Sequence, residues 1–412
     1  VKTRSGSGYG KAVGAAALAA IAVWSTSCST PQVAPATVSH SVSSSVSHSV
    51  SSSASHGVSS SVPVPPETAT PVAVCFGVMP SYWARALHAR SVTTAKGVRF
   101  GPGGIAGGAA IGQFNSAAES GIGRLDFTTG RLTTIYRFPP GIGGMGAMAV
   151  DPPWVVWEEL DSQSNLNDWS IRVWNLTSGA ISVLATSRLS NGHYVPGQQP
   201  LPVVSNGFAA WAQPVPGSGG YNVAQVRVVD LATGKVSTLD TGRVSSPVYA
   251  GHYLVWGKID SAGRYLLRVV DAASFKPVVT PGPLRDPGPM LYLGGSPEYL
   301  AWGSGDLNTL TAWPVGTARL LKFTQSDSGH PFEFLQLAGH FVLWYTGNGS
   351  SVLDLRTGNA FDVGGSVTAS ADAIAIEEPV GQPPTKGAFV PSRVSILATA
   401  AMPGIRGCAK KH

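Results

Sequence analysis

A short apolar strand recurs seven times along this chain, and in five of the seven it ends on tryptophan. The anchors are Trp157, Trp211, Trp256, Trp302 and Trp344, with Ile111 before them and Ile376 after. Short turn segments run in phase with them: Asp-Phe-Thr-Thr-Gly at 126–130, Asn-Leu-Thr-Ser-Gly at 175–179, Asp-Leu-Ala-Thr-Gly at 230–234, Asp-Ala-Ala-Ser at 271–274 and Asp-Leu-Arg-Thr-Gly at 354–358. Trp-Pro-Val-Gly at 313–316 fills the missing slot. Two markers sharing an interval of roughly 40–50 residues predict radial repetition of small sheets, a β-propeller. Tryptophan in one slot of each repeat then fills the gap between neighbouring blades. It is not a ligand-stacking set.

The repeats lay out as an all-β fold over residues 71–408, with seven blades and six as the alternative. In the second repeat, strands are expected at 143–150, 154–160, 169–175 and 180–186, each short, alternating and bounded by Gly, Asn, Asp or Pro. The Asp-x-x-Thr-Gly element falls between the third and fourth strands, where Asp accepts backbone N–H bonds and Gly takes positive φ. His252 and His340 share a slot four residues before a tryptophan, which reads as local turn structure. The last repeat supplies strands near 367–371, 373–377 and 394–398, then stops short of a fourth. An open sheet edge is a liability, so an N-terminal strand, expected at 71–78, closes the final blade.

The segments ahead of the repeats have other roles. Lys2, Arg4 and Lys11 precede an apolar run at 12–23, long enough for a signal-peptide core and short for a membrane span. Small residues at 25–27 lead to Cys28, and residues 1–28 resemble a bacterial lipoprotein signal, with Ser25 where that signal prefers an aliphatic residue. The resemblance implies lipidation of Cys28; ordinary secretion and an uncleaved anchor are the alternatives. Three copies of a Ser/His/Val octapeptide fill 39–62, followed by Pro63, Pro65 and Pro66. Such a tract cannot bury enough apolar surface to order itself, so 29–70 is expected to be a disordered linker. A flexible coil of roughly 40 residues spans about 35 Å.

Of three cysteines, Cys28 is assigned to lipid, which leaves Cys75 before the repeats and Cys408 after them. In an oxidising compartment they can pair across the closure; two unrelated thiols are the alternative. By the chain-entropy model so long a loop stabilises by about 5 kcal/mol.

Charged residues make up only 12% of the 412, so the net charge of +6 is thinly spread. Lys and Arg are scattered, which speaks against a nucleic-acid partner. A sparsely charged, Gly- and Ser-rich surface suits an exported protein, and an acid-exposed cell surface fits it.

Function is sought where the repeats differ. Connections between second and third strands (158–168, 213–222, 258–264, 304–308, 377–392) vary, as do those between blades (188–199, 281–289, 325–331). Alternate connections emerge on one face of a propeller, so both variable sets share a rim, where binding usually resides. That rim carries Glu158, Glu159, Asp161, Asp168, His193, Tyr194, Arg285, Asp286, Asp327, His330, Glu377 and Glu378. The pairs Glu158–Glu159 and Glu377–Glu378 follow their anchors at matching positions. Paired carboxylates can bind a cation or serve acid–base chemistry, and are otherwise ordinary solvated loop charge. No nucleophile elbow, zinc-binding helix motif, phosphate loop or Cys-x-x-Cys is found. No cofactor is expected, and no catalytic residue is assigned; whether a metal binds is open.

With hydrophobic-Trp strands and Asp-Leu-x-Thr-Gly turns, residues 92–400 resemble the TolB-like and WD40-like propellers of bacterial exported proteins. The resemblance implies architecture and no particular activity. The reading that follows is an exported, lipid-tethered binding module or scaffold for a protein or glycan, outside the bacterial cytoplasmic membrane or at the cell surface. The alternative is an extracytoplasmic hydrolase or lyase with acidic residues, metal-assisted or not, at the channel mouth.

Overall fold

The computed structural model describes residues 70–140, 142–161, 167–216, 223–325, 330–346, 349–381 and 389–406. The signal segment, Cys28, the linker up to residue 69, Asp327 and Cys408 lie outside the described residues. Within them the architecture is all-β and of propeller type.

Short alternating runs separated by tight turns can pair only with their sequence neighbours, and they do so here. The second repeat forms the antiparallel meander Gly144–Asp151, Trp154–Leu160, Trp169–Asn175, Ile181–Thr186, within one residue of expectation. Meanders of the same kind begin at the inner strands Arg99–Ala106, Val203–Ser205, Val248–Ala250, Met290–Gly295, Glu333–Ala338 and Ser366–Ser370. The third and fourth join through Arg243 opposite Ile259 into one seven-stranded sheet. The Asp turns act as expected. Asp126 Oδ1 accepts from the backbone N–H of Thr128 and Thr129 at 2.9 and 2.8 Å, and Gly130 follows at φ +68°. The histidine slot is backbone structure too: the carbonyls of His252 and His340 accept from Ala272 and Leu355 N–H.

The core is divided among the seams. Trp157 packs with Ile111 and Ile122 of the first meander, Trp211 with Val156 and Ile171 of the second, and Trp344 with Ala301 and Phe323 of the fifth. Each indole therefore faces the preceding sheet. Ile111 is one residue out of register as an anchor. Ala109 pairs with the turn acid Asp126 as Trp154 pairs with Asn175, so Gly112 holds the tryptophan slot. Gly112 fits there because the carbonyl of Gly101 crosses that space, 2.1 Å from where a Cβ would stand.

The N-terminal stretch corrects the expected closure. Residues 71–78 do not complete the last meander. Val72–Ala73 adds parallel to Leu321–Thr324, and Cys75–Gly77 adds parallel to Asn359–Val363. A helix, Ser81–Ala89, then reverses the chain, and Ser91–Thr93 pairs antiparallel with Ser392–Ala398. After that reversal the chain runs antiparallel to the edge strand of the last sheet. Helix residues Trp83 and Leu87, four apart on one face, enter the seam between sixth and seventh meanders, where Ile376 replaces the usual tryptophan. On its far side the seventh meander lies against the inner strand Arg99–Ala106 of the first.

Candidate functional site

Of the predicted residues, Glu158 and Glu159 lie side by side on the second-meander strand Trp154–Leu160, and Asp161, Asp168 and Tyr194 lie on connections beside it. Adjacent strand residues point to opposite sides, so Glu158 and Glu159 diverge and cannot grip one cation. Glu377 and Glu378 diverge likewise. The expectation of solvated loop charge is also overturned: Glu158, Glu159 and Glu377 are buried. Among the described residues no group of three or more His, Cys, Asp or Glu side chains is placed to hold a metal ion.

Glu159 turns towards the first meander and meets Arg172 at 2.9 Å. The Arg172 guanidinium lies 4.8 Å from the centre of the Tyr136 ring. Burial, reinforced by the Glu159 charge, pushes the Tyr136 phenol up to about 12.

Beyond the strand end, the connection after Leu160 meets the connection between second and third meanders. Arg188 Nη2 donates to Asp161 Oδ2 at 3.3 Å and to the Tyr194 hydroxyl at 2.6 Å, and lies 3.8 Å from Asp168 Oδ2. Its guanidinium covers the Tyr194 ring at 5.0 Å. Burial, then a hydrogen bond to Asp168 and that group's charge, raises the Asp161 carboxyl, with Arg188 opposing. The Tyr194 phenol is raised chiefly by its hydrogen bond to Asp168. The two kinds of variable connection thus share a rim at this blade, as expected.

Glu158 turns the other way, towards the third meander. Its side chain is wholly buried, and neither oxygen has a hydrogen-bond partner among the described residues. Burial alone pushes its carboxyl up to about 8, so it carries its proton at neutral pH.

The remaining candidates stand apart. Glu377 accepts from the Ser366 and Ser392 hydroxyls, each at 2.7 Å, and lies 3.6 Å from Arg99. Glu378 is 3.8 Å from Arg393. His330 Nε2 is 3.2 Å from Asp362 Oδ2, and its ring lies against Phe76. Arg285, exposed, donates to the Thr280 carbonyl at 3.3 Å; Asp286 and His193 are exposed as well. The structure does not bring these onto the second blade's cluster. Sequence reading missed Arg172, Arg188 and Tyr136. Arg172 was accessible in principle, since it shares a face with Glu159 on the neighbouring strand.

No known family model matches the chain, and no curated protein does. Among solved structures it is similar to a prolyl endopeptidase at 13% identity and TM-score 0.46, covering 78% of this chain and 52% of that one. The chain thus spans about half of that enzyme's length. It is also similar to an oligogalacturonate lyase from Vibrio parahaemolyticus (10% identity, 74% of this chain, 91% of that one, TM-score 0.44). A third likeness is to the Swd1 β-propeller domain of Myceliophteria thermophila (12% identity, 74% and 97%, TM-score 0.42). Likenesses this distant do not choose between activities, and the fold rests on the sheet pairing above.

Proposed function

We propose that this chain is an exported β-propeller of seven blades, akin to the TolB-like group, that binds a protein or glycan through its loop face. The observation that carries the reading is the cluster of Asp161, Asp168, Arg188 and Tyr194. It joins two connections of unlike sequence on the rim of a rigid sheet, and it presents an arginine half in solvent over an aromatic ring. Variable polar loops on a fixed scaffold are a binding surface. Cys28, as a lipid-bearing residue, is the proposed tether to the membrane.

The ring reading is supported by the order of the seams and by Ser91–Thr93 on the edge of the last sheet. Pairing of Cys75 with Cys408 is supported from both sides. Cys75 stands opposite Asn359, and Asn359 Nδ2 donates to the Ile405 carbonyl at 2.8 Å, three residues before Cys408.

The competing hydrolase or lyase reading draws on Glu158, a carboxylic acid holding its proton at neutral pH. A catalytic acid must touch its substrate, and this carboxyl is sealed from solvent. Binding of the full chain to arrayed surface polysaccharides and to extracted surface proteins tests the proposal. Arg188→Ala combined with Tyr194→Ala should weaken whichever binding is found by tenfold or more, on the order of 1.4 kcal/mol. Undiminished binding, or turnover of a polysaccharide, refutes it.

A further inference from the structure

The seam between second and third meanders holds two ionisable side chains, Glu158 and Arg227, that face one another's sheets. Val156 and Leu160 pack in the cluster shared with the third meander, so Glu158, between them, points the same way. Val229 belongs to that cluster while Val226 and Val228 belong to the next, so Arg227 points back at the second meander. Both Glu158 oxygens and the Arg227 Nε are buried with no hydrogen-bond partner among the described residues. Over Gly146 the carboxyl and the Gln199 amide crowd one point. A Cβ there would stand 2.2 Å from Glu158 Oε2 and 3.4 Å from Gln199 Nε2.

The same strand position elsewhere shows what a polar side chain does in it. In the first meander it is Gln113, which accepts from the N–H of Met145 on the next inner strand at 2.9 Å. In the seventh it is Glu377, met by two serine hydroxyls and by Arg99 of the next inner strand. Both side chains tie one sheet to the next. Glu158 stands in the position of a tie that is not made.

We infer that this seam is a proton-controlled latch worked by Glu158. Uncharged, the carboxyl packs dry over Gly146 and the 195–200 segment stays seated. Ionised, it needs hydrogen-bond donors that do not reach either of its oxygens in the closed seam, and the seam opens to water. The other charged groups on the elements around it are engaged or turned away. Asp151 accepts from Asn206 N–H, Glu159 and Arg172 pair on the opposite face, Arg188 is held by Asp161 and Tyr194, and His193 is exposed. Among the described residues, Arg227 is the charged side chain besides Glu158 that is aimed at the seam.

The closed state keeps the proton up to about 8, whereas the opened state releases it near the ordinary value of 4.5. Opening is therefore favoured as pH rises between those values and levels off above the upper one. The latch does not rest on the binding reading, although the 188–199 segment carries Arg188, His193 and Tyr194.

Hydrogen–deuterium exchange on the full chain tests it, read as protection factors at pH 6 and pH 8. Amides of Gly144–Asp151 and of 195–205 should lose protection on the order of 50-fold, with those of Ser366–Ser370 unchanged. Glu158→Gln should abolish the loss. An equal loss in that variant, a loss shared by the seventh meander, or none in the wild type overturns the latch. A second pair of variants checks the geometry without titration. Gly146→Ala should lower Tm in the wild type and leave Tm unchanged on a Glu158→Ala background. Equal shifts in both backgrounds remove the carboxyl from the place the latch requires.

Discussion

Replacing Trp83 by alanine measures how far the N-terminal helix is part of the cooperative fold. The indole is wholly buried in the seam between sixth and seventh meanders. It meets Phe341 edge-on at 5.2 Å and 86°, and Phe361 at 5.0 Å and 69°. Burying an indole and then deleting it costs about 3–5 kcal/mol, of which two edge-to-face pairs account for roughly 1–3. Trp83 Nε1 has no hydrogen-bond partner among the described residues, so no polar interaction adds to the loss. Trp83→Phe keeps an aromatic edge in place and should cost less than half as much. Equilibrium urea unfolding of the full chain, with the midpoint and slope both fitted, reads the two values. If Trp83→Ala lies within about 1 kcal/mol of the wild type, the helix is not holding the seam.

Other substitutions test separate joints. Asp354 is fully buried and accepts from the N–H of Arg356 and of Ile405, each at 2.9 Å; Asp354→Ala should cost about 2–4 kcal/mol and expose the C-terminal tail to limited proteolysis. Gly112→Ala should be severely destabilising, since its Cβ would meet the Gly101 carbonyl at 2.1 Å; thermal unfolding checks it. Glu158 has its folded value raised, so the wild type should lose stability from pH 4.5 up to about 8 and then level off. The whole drop is about 5 kcal/mol at most, and Glu158→Gln should flatten it in urea titrations across that range.

What could be read from the sequence was what repeats. The tryptophan slot and the Asp turns give each sheet two fixed points, and the strands of the second meander follow within a residue. The register slipped at Ile111 because the true slot is held by Gly112, and glycine carries no hydropathic signal. The helix Ser81–Ala89 is little more than two turns, with only Trp83 and Leu87 buried, too short a pattern to stand out. The parallel additions of Val72–Ala73 and Cys75–Gly77 are two and three residues long, and backbone pairing of that length has no periodicity at all. Charge misled most at the site. Glu158 and Glu159 read as surface, yet the strand that carries them runs on into the seams, where one finds an arginine on the adjacent strand and the other finds none.

The route of the N-terminal stretch has a consequence for how the molecule assembles. Between Val72 and Thr93 the chain touches the fifth, sixth and seventh meanders in turn, and each of those partners lies more than two hundred residues further along the sequence. Meanders pair locally and can form early, whereas these contacts must close very long loops before they stabilise anything. The helix and its flanking strands should therefore dock after the rate-limiting barrier. A side chain that makes its contacts late changes unfolding and leaves folding alone. Trp83→Ala should thus raise the unfolding rate by most of its stability loss, while Trp211→Ala, inside a seam of consecutive meanders, should slow refolding. Stopped-flow fluorescence across a urea range separates the two arms. If Trp83→Ala slows refolding as much as Trp211→Ala does, the long-range closure belongs to the nucleus and the local meanders do not lead.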